Sequence, residues 1–281
     1  MVNYNGNIVE KDQAKIALDN RGYAYGDAVF ETIKVVHGKL LFWEDHYFRL
    51  MASMRIIRME IPMNFTLEFL ESEITRLIEL NSDSNKTLRV KLIVNRNPGG
   101  LYTPETNDVA YFITTKEIDN HFYQIDDSEY VVDLYKDHYV SSSLLSTLKS
   151  NNRLINIIGG IYANENGLNN CLLLNTEKQV IEALNSNVFL VKGNTIKTPP
   201  ISSGCIKGIM RKQLIEIIQQ LPDLTLEEAP ISPFELQKAD EIFLSNVITG
   251  IQPISKYRKK TFSNKIAKEL ISKLNVKVRM S

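Results

Sequence analysis

The chain has 281 residues, 43% of them apolar and 23% charged, ordinary proportions for a globular protein with ample core material. Its 33 basic residues are matched by 33 acidic ones, so composition gives no electrostatic case for a nucleic-acid or anionic-membrane partner. Cys171 and Cys205 are too few for a disulfide framework or a four-thiolate site, and His37, His46, His121 and His138 show no metal-ligand spacing, so no metal is expected.

Length favours two domains over one. No basic segment followed by an apolar run opens the chain, and no apolar stretch approaches the ~18 residues of a membrane span. A cytoplasmic protein is the expectation.

In chain order, Gly6-Asn7 reads as the turn of an opening hairpin. Val29 to Val36 is β-branched and alternating, His37-Gly38-Lys39 turns the chain, and Leu40 to Trp43 is the expected return strand. A helix is expected from about Glu44 to Met59, with Glu44 and Asp45 in the first turn, where the helix dipole favours them. Leu67, Leu70, Ile74 and Leu77 mark a second helix over Phe65 to Leu80. Strands follow at Leu88 to Val94, which Asn97-Pro98-Gly99-Gly100 ends, and at Val109 to Thr114.

The polar, acidic stretch 116–128 reads as a linker between an N-terminal α/β domain, 1–115, and a C-terminal α/β domain, 129–281. The second half opens with a strand over Tyr130 to Leu134, and a helix is expected from about Asn151 to Asn164. Cys171 to Leu174 and Val188 to Val191 are short apolar runs of buried-strand type. Ile206 to Leu221 carries an apolar stripe of helical period. Ser232-Pro233-Phe234-Glu235 has the layout of a capping box with proline at the first helical position. Glu241 to Leu244 reads as a strand, and a last helix closes the chain. Strands and helices mix without strict alternation, which predicts two mixed α/β domains.

Four features carry chemistry in a fixed order: Lys149, then Glu182 with Asn187, then the Gly204 to Arg211 turn into a helix, then Ser245-Asn246. A surface lysine is usually a solvated charge. A lysine buried in an apolar site sheds its proton and can form a Schiff base. A glutamate beside a pyridine ring keeps the ring nitrogen protonated and makes the ring an electron sink. Backbone N–H groups at a helix start can grip a phosphate, and the missing Gly-Lys-Ser/Thr ending excludes a nucleotide P-loop.

The run Glu182-Ala183-Leu184-Asn185-Ser186-Asn187-Val188-Phe189, then Ile196-Lys197-Thr198, then Ile206-Lys207-Gly208-Ile209-Met210-Arg211 resembles the signature of the class IV (fold type IV) pyridoxal-phosphate aminotransferase family. Leu184 departs from it, standing where the family usually has a smaller residue. Arg21 to Thr32 resembles the family's Gly-Asp-Gly-Val-Phe-Glu opening, and His46-Tyr47-Phe48-Arg49-Leu50 its His-x-x-Arg-Leu helix. The resemblance runs from Asn5 to about Lys256. It implies pyridoxal 5'-phosphate as cofactor, held in a cleft between two α/β domains, and a homodimer acting on a small molecule.

Carried over residue by residue, it implies that Lys149 forms the link to the cofactor and moves a proton. Glu182 pairs with the ring nitrogen, with Asn187 part of the same motif. Arg49 and the backbone N–H groups of Ile209 and Met210 hold the phosphate, and Asn246 and Val247 form a further phosphate- or substrate-binding turn. Tyr25, Thr32 and Lys91 are expected to meet the substrate, with Thr32 also taking part in catalysis.

Three family activities stay open: 4-amino-4-deoxychorismate lyase, branched-chain aminotransferase and D-amino-acid aminotransferase. Lys149-Ser150-Asn151-Asn152-Arg153-Leu154 is similar to the lyases' Lys-x-x-Asn-Arg-Leu, and Thr32 stands where branched-chain enzymes have glycine. Lys91 aligns with a lyase lysine that could meet a substrate carboxylate. These favour the lyase, which releases pyruvate and 4-aminobenzoate and belongs to folate precursor synthesis. Each residue also has a plainer role, Thr32 as a strand former and Lys91 as an edge charge. A non-catalytic relative that only binds the cofactor is the alternative from another class, and the joint presence of Lys149, Glu182 and Arg49 argues against it.

Overall fold

The computed structural model describes residues 1–81, 86–119 and 121–280. Asn120, inside the stretch 116–128, and Ser281, the end of the second region, lie outside the described residues. Packing divides the chain into two units, residues 1–121 with Lys149–Asn152, and residues 122–148 with 153–281. Sequence reading put the cofactor lysine on the C-terminal domain; backbone pairing groups its short segment with the N-terminal one.

The first unit runs β1 (Val2–Tyr4), β2 (Asn7–Val9), α1 (Arg21–Ala24), β3 (Ala28–Val36), β4 (Lys39–Leu40), α2 (Trp43–Ile56), α3 (Leu67–Asn81), β5 (Leu88–Arg96) and β6 (Val109–Glu117). Its strands form one antiparallel sheet in the order β2-β1-β6-β5-β3-β4. The opening hairpin turns at Asn5-Gly6, both at positive φ, one residue earlier than expected.

Strand alternation separates the sheet's two faces. Val29, Ile33 and Val35 of β3 and Val90, Leu92 and Val94 of β5 face a core completed by Leu50, Met54, Leu70, Ile74 and Leu77 from α2 and α3. The residues between them, Phe30, Thr32 and Lys34, register with Ile93, Lys91 and Arg89 on the other face. The return strand is shorter than expected. Phe42 takes a left-handed conformation (φ 56°), and α2 starts at Trp43, leaving β4 two residues long.

The second unit runs β7 (Val131–Val140), α4 (Leu154–Glu165), β8 (Asn170–Asn175), β9 (Val180–Ala183), β10 (Asn187–Lys192), β11 (Thr195–Thr198), α5 (Ile209–Gln219), β12 (Thr225–Glu228), α6 (Pro233–Lys238), β13 (Glu241–Asn246), β14 (Gly250–Pro253), β15 (Lys256–Tyr257), β16 (Lys260–Thr261) and α7 (Lys265–Met280). Its sheet follows the order β12-β11-β10-β9-β8-β7-β15-β16, with β13 also pairing β10 and carrying β14. One core fills the face of Val132, Leu172, Val188, Ile242 and Leu244, and a smaller one gathers Tyr135, Cys171, Leu173, Ile181 and Cys205.

Three boundaries differ from the sequence reading. β7 continues through Lys136-Asp137-His138-Tyr139, since its parallel neighbour β8 carries the ladder on to Val140. α4 starts at Leu154 because residues 149–151 are used as a strand-like segment. α5 starts at Ile209, its preceding turn being held by side chains described below. The capping box is present at α6: the Ser232 hydroxyl accepts from Phe234 N–H, and Glu235 accepts from Ser232 N–H at 2.7 Å.

Glu241, at the start of β13, is buried and caps α7 from outside the helix. Its carboxylate accepts from the Ile266 N–H at 3.0 Å, the Ala267 N–H at 3.3 Å and the Ser263 hydroxyl at 2.9 Å. These are the otherwise unsatisfied donors of a helix N-terminus, where negative charge is favoured. Glu241→Ala is expected to destabilise the protein by about 2–3 kcal/mol, because charge-assisted bonds are lost and buried donors are left unmade; the urea midpoint at neutral pH is the measurement.

Candidate active site

Lys149 is placed by backbone before side chain. The Phe30 N–H donates to Lys149 O at 2.8 Å, the Asn151 N–H donates to Ala28 O at 3.0 Å, and Val29 forms a bridge with Ser150. These bonds fall on the edge of β3 that the two-residue β4 leaves uncovered. Lys149 Nζ lies 4.5 Å from the Phe30 ring centroid, and Lys91 Nζ lies 4.9 Å from the same centroid. Thr32 is directly opposite Lys91 in the β3–β5 register. Burial, and secondarily the charge of Arg89, lower the pKa of Lys91. The structure therefore brings together Lys149, Lys91 and Thr32, and adds Phe30, which the sequence reading had only as part of a motif.

Behind this strand face lies a buried charged trio. Arg49 donates to Glu31 through Nε at 2.7 Å and Nη2 at 2.5 Å, and His46 Nδ1 is 2.6 Å from Glu31 Oε2. Burial alone would raise the pKa of Glu31. The charge and hydrogen bonds of Arg49, with those of His46, outweigh it and hold Glu31 down at about 2. Burial lowers the pKa of His46 despite its bond to Glu31, and the charges of Arg49 and Lys149 lower it further. His46 Nε2 is buried with no partner among the described residues. Sequence reading assigned Arg49 to a phosphate and missed its two companions. The signal was present, since Glu31 stands on the core face of a strand where alternation calls for an apolar residue.

The second group surrounds one residue, Ile206. Glu182 of β9 pairs with Asn187 of β10, which pairs with Ser245 of β13, so the three share a row. The Ile206 N–H donates to Glu182 Oε2 at 2.8 Å, and Asn187 Nδ2 donates to the Ile206 carbonyl at 2.9 Å. Gripped at its N–H and its carbonyl, Ile206 sets the start of α5, whose first turn holds Ile209 and Met210. Gly208 precedes the helix because a Cβ there would lie 2.0 Å from Asn187 Oδ1. The spacing of Glu182, Asn187 and Gly208 in the sequence is therefore the spacing of one turn-holding device.

Asn246 extends the group by donating to Ser186 Oγ at 2.9 Å while its Oδ1 accepts from the N–H groups of Ile248 and Thr249 at 2.9 Å. The Val247 carbonyl accepts from Tyr123 Oη at 2.7 Å, a support that sequence reading missed. Tyr25 belongs to neither group. It lies beside Tyr102, with the Arg21 guanidinium 4.9 Å from its ring centroid.

Comparisons with known proteins identify the family. Residues 28–257 match the model of the amino-transferase class IV family. The chain belongs to that family. A Methanocaldococcus jannaschii protein with the provisional name branched-chain-amino-acid aminotransferase is 26% identical over 275 residues, 98% of this chain and 94% of its own length. The D-alanine aminotransferase of Bacillus licheniformis is 26% identical over 261 residues, 90% of this chain and 86% of its own.

Among solved structures, the branched-chain aminotransferase of Thermoproteus uzoniensis superposes with a TM-score of 0.87 at 23% identity, covering 97% of this chain and 92% of that one. The 4-amino-4-deoxychorismate lyase of Pseudomonas aeruginosa gives 0.83 at 24%, covering 98% of each. The fold is that of the fold type IV pyridoxal-phosphate enzymes, and pyridoxal 5'-phosphate is the family's cofactor.

The residues present fit such a cofactor. Ser245 Oγ, in the same row as Glu182 and Asn187, is buried with no partner among the described residues. α5 begins without a capping side chain, which leaves its first turn suited to a phosphate. Glu182 is a buried carboxylate, the type of group that keeps a pyridine nitrogen protonated.

Two outcomes are expected. Ionised Glu31 contributes stability above pH ~4.5 that is lost as the pH falls toward 2, and His46, its pKa also lowered, adds to acid sensitivity below its ordinary value of 6.5. Glu31→Gln should cost about 3–5 kcal/mol at pH 7 by leaving Arg49 without its counter-charge. It should also flatten the acid limb of a stability–pH curve measured by urea unfolding. Gly208→Ala should cost about 1–3 kcal/mol through the clash with Asn187, read as a lowered thermal midpoint.

Proposed function

We propose that this class IV aminotransferase-family protein is a pyridoxal-phosphate-dependent 4-amino-4-deoxychorismate lyase that releases 4-aminobenzoate and pyruvate. The observation that carries the reading is the shared ring of Phe30, with Lys149 Nζ and Lys91 Nζ 4.5 and 4.9 Å from its centroid and Thr32 in register with Lys91. A second ammonium group this near the reactive amine suits a substrate with more than one carboxylate. The lyase substrate has two, one on its ring and one on the enolpyruvyl ether. A branched-chain amino acid would instead present an apolar side chain to Lys91.

When bound, the cofactor supplies a ring that takes up the electrons of the bond broken at the amine-bearing carbon. Lys149 is the covalent anchor and then the base that removes the proton from that carbon. Glu182 keeps the ring nitrogen protonated. The first turn of α5, with Ile209 and Met210, and the buried Ser245 hydroxyl would hold the phosphate, to which the family's pattern adds Arg49. Lys91 binds a substrate carboxylate, and the Thr32 hydroxyl donates to the leaving enolpyruvyl group. Asn246 and Val247 would shape the turn beside the phosphate, and Tyr25 would meet the substrate. A homodimer in the cytoplasm accompanies this reading.

One observation favours a second reading. The curated relatives are named for transfer of amino groups from branched-chain amino acids and D-alanine. A transaminase would use the same Lys149 and Glu182 but return the proton to the cofactor instead of expelling pyruvate.

The deciding experiment incubates cofactor-loaded protein with 4-amino-4-deoxychorismate and follows pyruvate, beside glutamate/2-oxoisocaproate and D-alanine/2-oxoglutarate controls. Pyruvate with an equal amount of 4-aminobenzoate is expected, with amino transfer far slower. Amino transfer in a control, with no pyruvate released from 4-amino-4-deoxychorismate, overturns the lyase reading and keeps the family chemistry. Lys149→Ala should abolish turnover, and borohydride should fix cofactor to wild-type protein but not to this variant. A Lys91→Met variant is expected to raise KM more than it lowers kcat, through loss of about 1.5–3 kcal/mol of charge-assisted binding.

A further inference from the structure

The face of the first unit's sheet that carries Phe30, Thr32 and Lys91 is graded in rows running across β3, β5 and β6. Strand register sets three of them: Phe30 with Ile93 and Phe112, Thr32 with Lys91 and Thr114, and Lys34 with Arg89 and Lys116. The first row is apolar, and Tyr4 of β1 extends it by stacking on Phe112 with ring centroids 4.7 Å apart. The second places one ammonium group between two threonines. The third is three cations side by side. No carboxylate stands in any of the three rows.

Side chains directly opposite in an antiparallel sheet have Cβ atoms about 5 Å apart, and like charges so placed destabilise it. The third row breaks this rule twice, at Lys34–Arg89 and at Arg89–Lys116. Lys34 is buried, and burial pulls it down to about 8, while Arg89 and Lys116 remain exposed. Among the described residues, Arg89, Lys91 and Lys116 enter no ion pair. A sheet with no further task would gain from a neutral or acidic residue at position 89. An anion held against Arg89 offsets both repulsions. The guanidinium offers a planar fork that takes a carboxylate at two points.

Lys91 and Arg89 are two residues apart on one face of β5, about 7 Å of strand. Side chains of this length close such a gap onto two carboxylates of one small molecule. Lys91 in turn shares the Phe30 ring with Lys149, at 4.9 and 4.5 Å from its centroid, so Arg89 lies one row beyond a neighbour of the reactive amine. We propose that Arg89, with Lys116 beside it, is a specificity-determining residue that binds a second carboxylate, so that the site takes dicarboxylates in preference to monocarboxylates. This rests on the reading above for the first carboxylate, at Lys91. Two kinds of molecule carry that chemistry: a six-membered ring bearing carboxylates, as in the lyase substrate, and an open-chain dicarboxylate such as 2-oxoglutarate. The apolar row beside Lys91 favours the ring.

The test is a calorimetric titration of the protein, with cofactor in excess so that its phosphate site is filled, against benzoate, isophthalate and 2-oxoglutarate. In wild type, isophthalate should bind about ten-fold more tightly than benzoate, the scale of one charge-assisted contact. Arg89→Met should cut that advantage to about two-fold or less and leave benzoate affinity within about two-fold of wild type. Arg89→Lys should keep most of the advantage, and Lys91→Met should weaken all three ligands. Dicarboxylates that bind wild type no more tightly than benzoate overturn the proposal, as does an advantage that survives Arg89→Met. An equal loss of benzoate binding in Arg89→Met also overturns it, because Arg89 would then attract any anion. If 2-oxoglutarate, and not isophthalate, shows the Arg89-dependent advantage, the two-carboxylate site stands and the lyase reading is the one that fails. Arg89 is exposed, so its variants are expected to fold.

Discussion

The site depends on an unfilled strand edge. β3 has nine residues, but its neighbour β4 covers only Val35 and Val36, because Phe42 turns left-handed and α2 begins at once. The amide and carbonyl groups at the start of β3 would otherwise face the cost of unmade hydrogen bonds. Residues 149–151 take them up. A lysine distant in sequence is thereby set at a defined height on the strand, next to Phe30, before any of its side-chain contacts count. Two ladder bonds stabilise only modestly in net terms, about 1 kcal/mol each, but they are directional, and direction is what a reactive amine requires.

The same strand shows why the first unit can be both stable and reactive. Alternation sends Val29, Ile33 and Val35 into the core and turns Phe30, Thr32 and Lys34 to the opposite face, where burial brings Lys34 down to about 8. Glu31 is the exception on the core side. An ionised carboxylate is tolerated there because Arg49 and His46 satisfy it. In the second unit the backbone of Ile206 has a comparable role, held at its N–H by Glu182 and at its carbonyl by Asn187. Each unit thus fixes a chemically useful group with buried polar contacts that have few alternative arrangements.

Much of this was legible in the sequence where local chemistry decides the outcome. The β-branched alternation of 29–36 is a strand and Ser232 to Glu235 is a capping box, while Glu182, Asn187 and Gly208 stood together in the motif without any sign of the turn they hold. What stayed hidden depends on partners far along the chain. Nothing local marks Phe42 as left-handed, and the helical pattern that begins near Asn151 gives no sign that these residues pair with β3. The charged end of β7 reads as loop until β8 is set beside it. Glu241 looks like any strand glutamate, and its role at α7 spans 25 residues of sequence. The Leu184 departure became intelligible only once Gly159, where a Cβ would lie 2.7 Å from Leu184 Cδ2, was placed against it.

The borrowed strand segment has a consequence in the order of synthesis. β3, with its open edge, is synthesised more than a hundred residues ahead of Lys149 and leaves the ribosome first. During that interval the uncovered amides of β3 are available to any extended peptide, including the same edge on a neighbouring nascent chain. The later segment displaces such partners only once it can close across the intervening residues. The amine can reach Phe30 only after Lys149 itself has emerged, so a chain that stops short of it carries no active lysine.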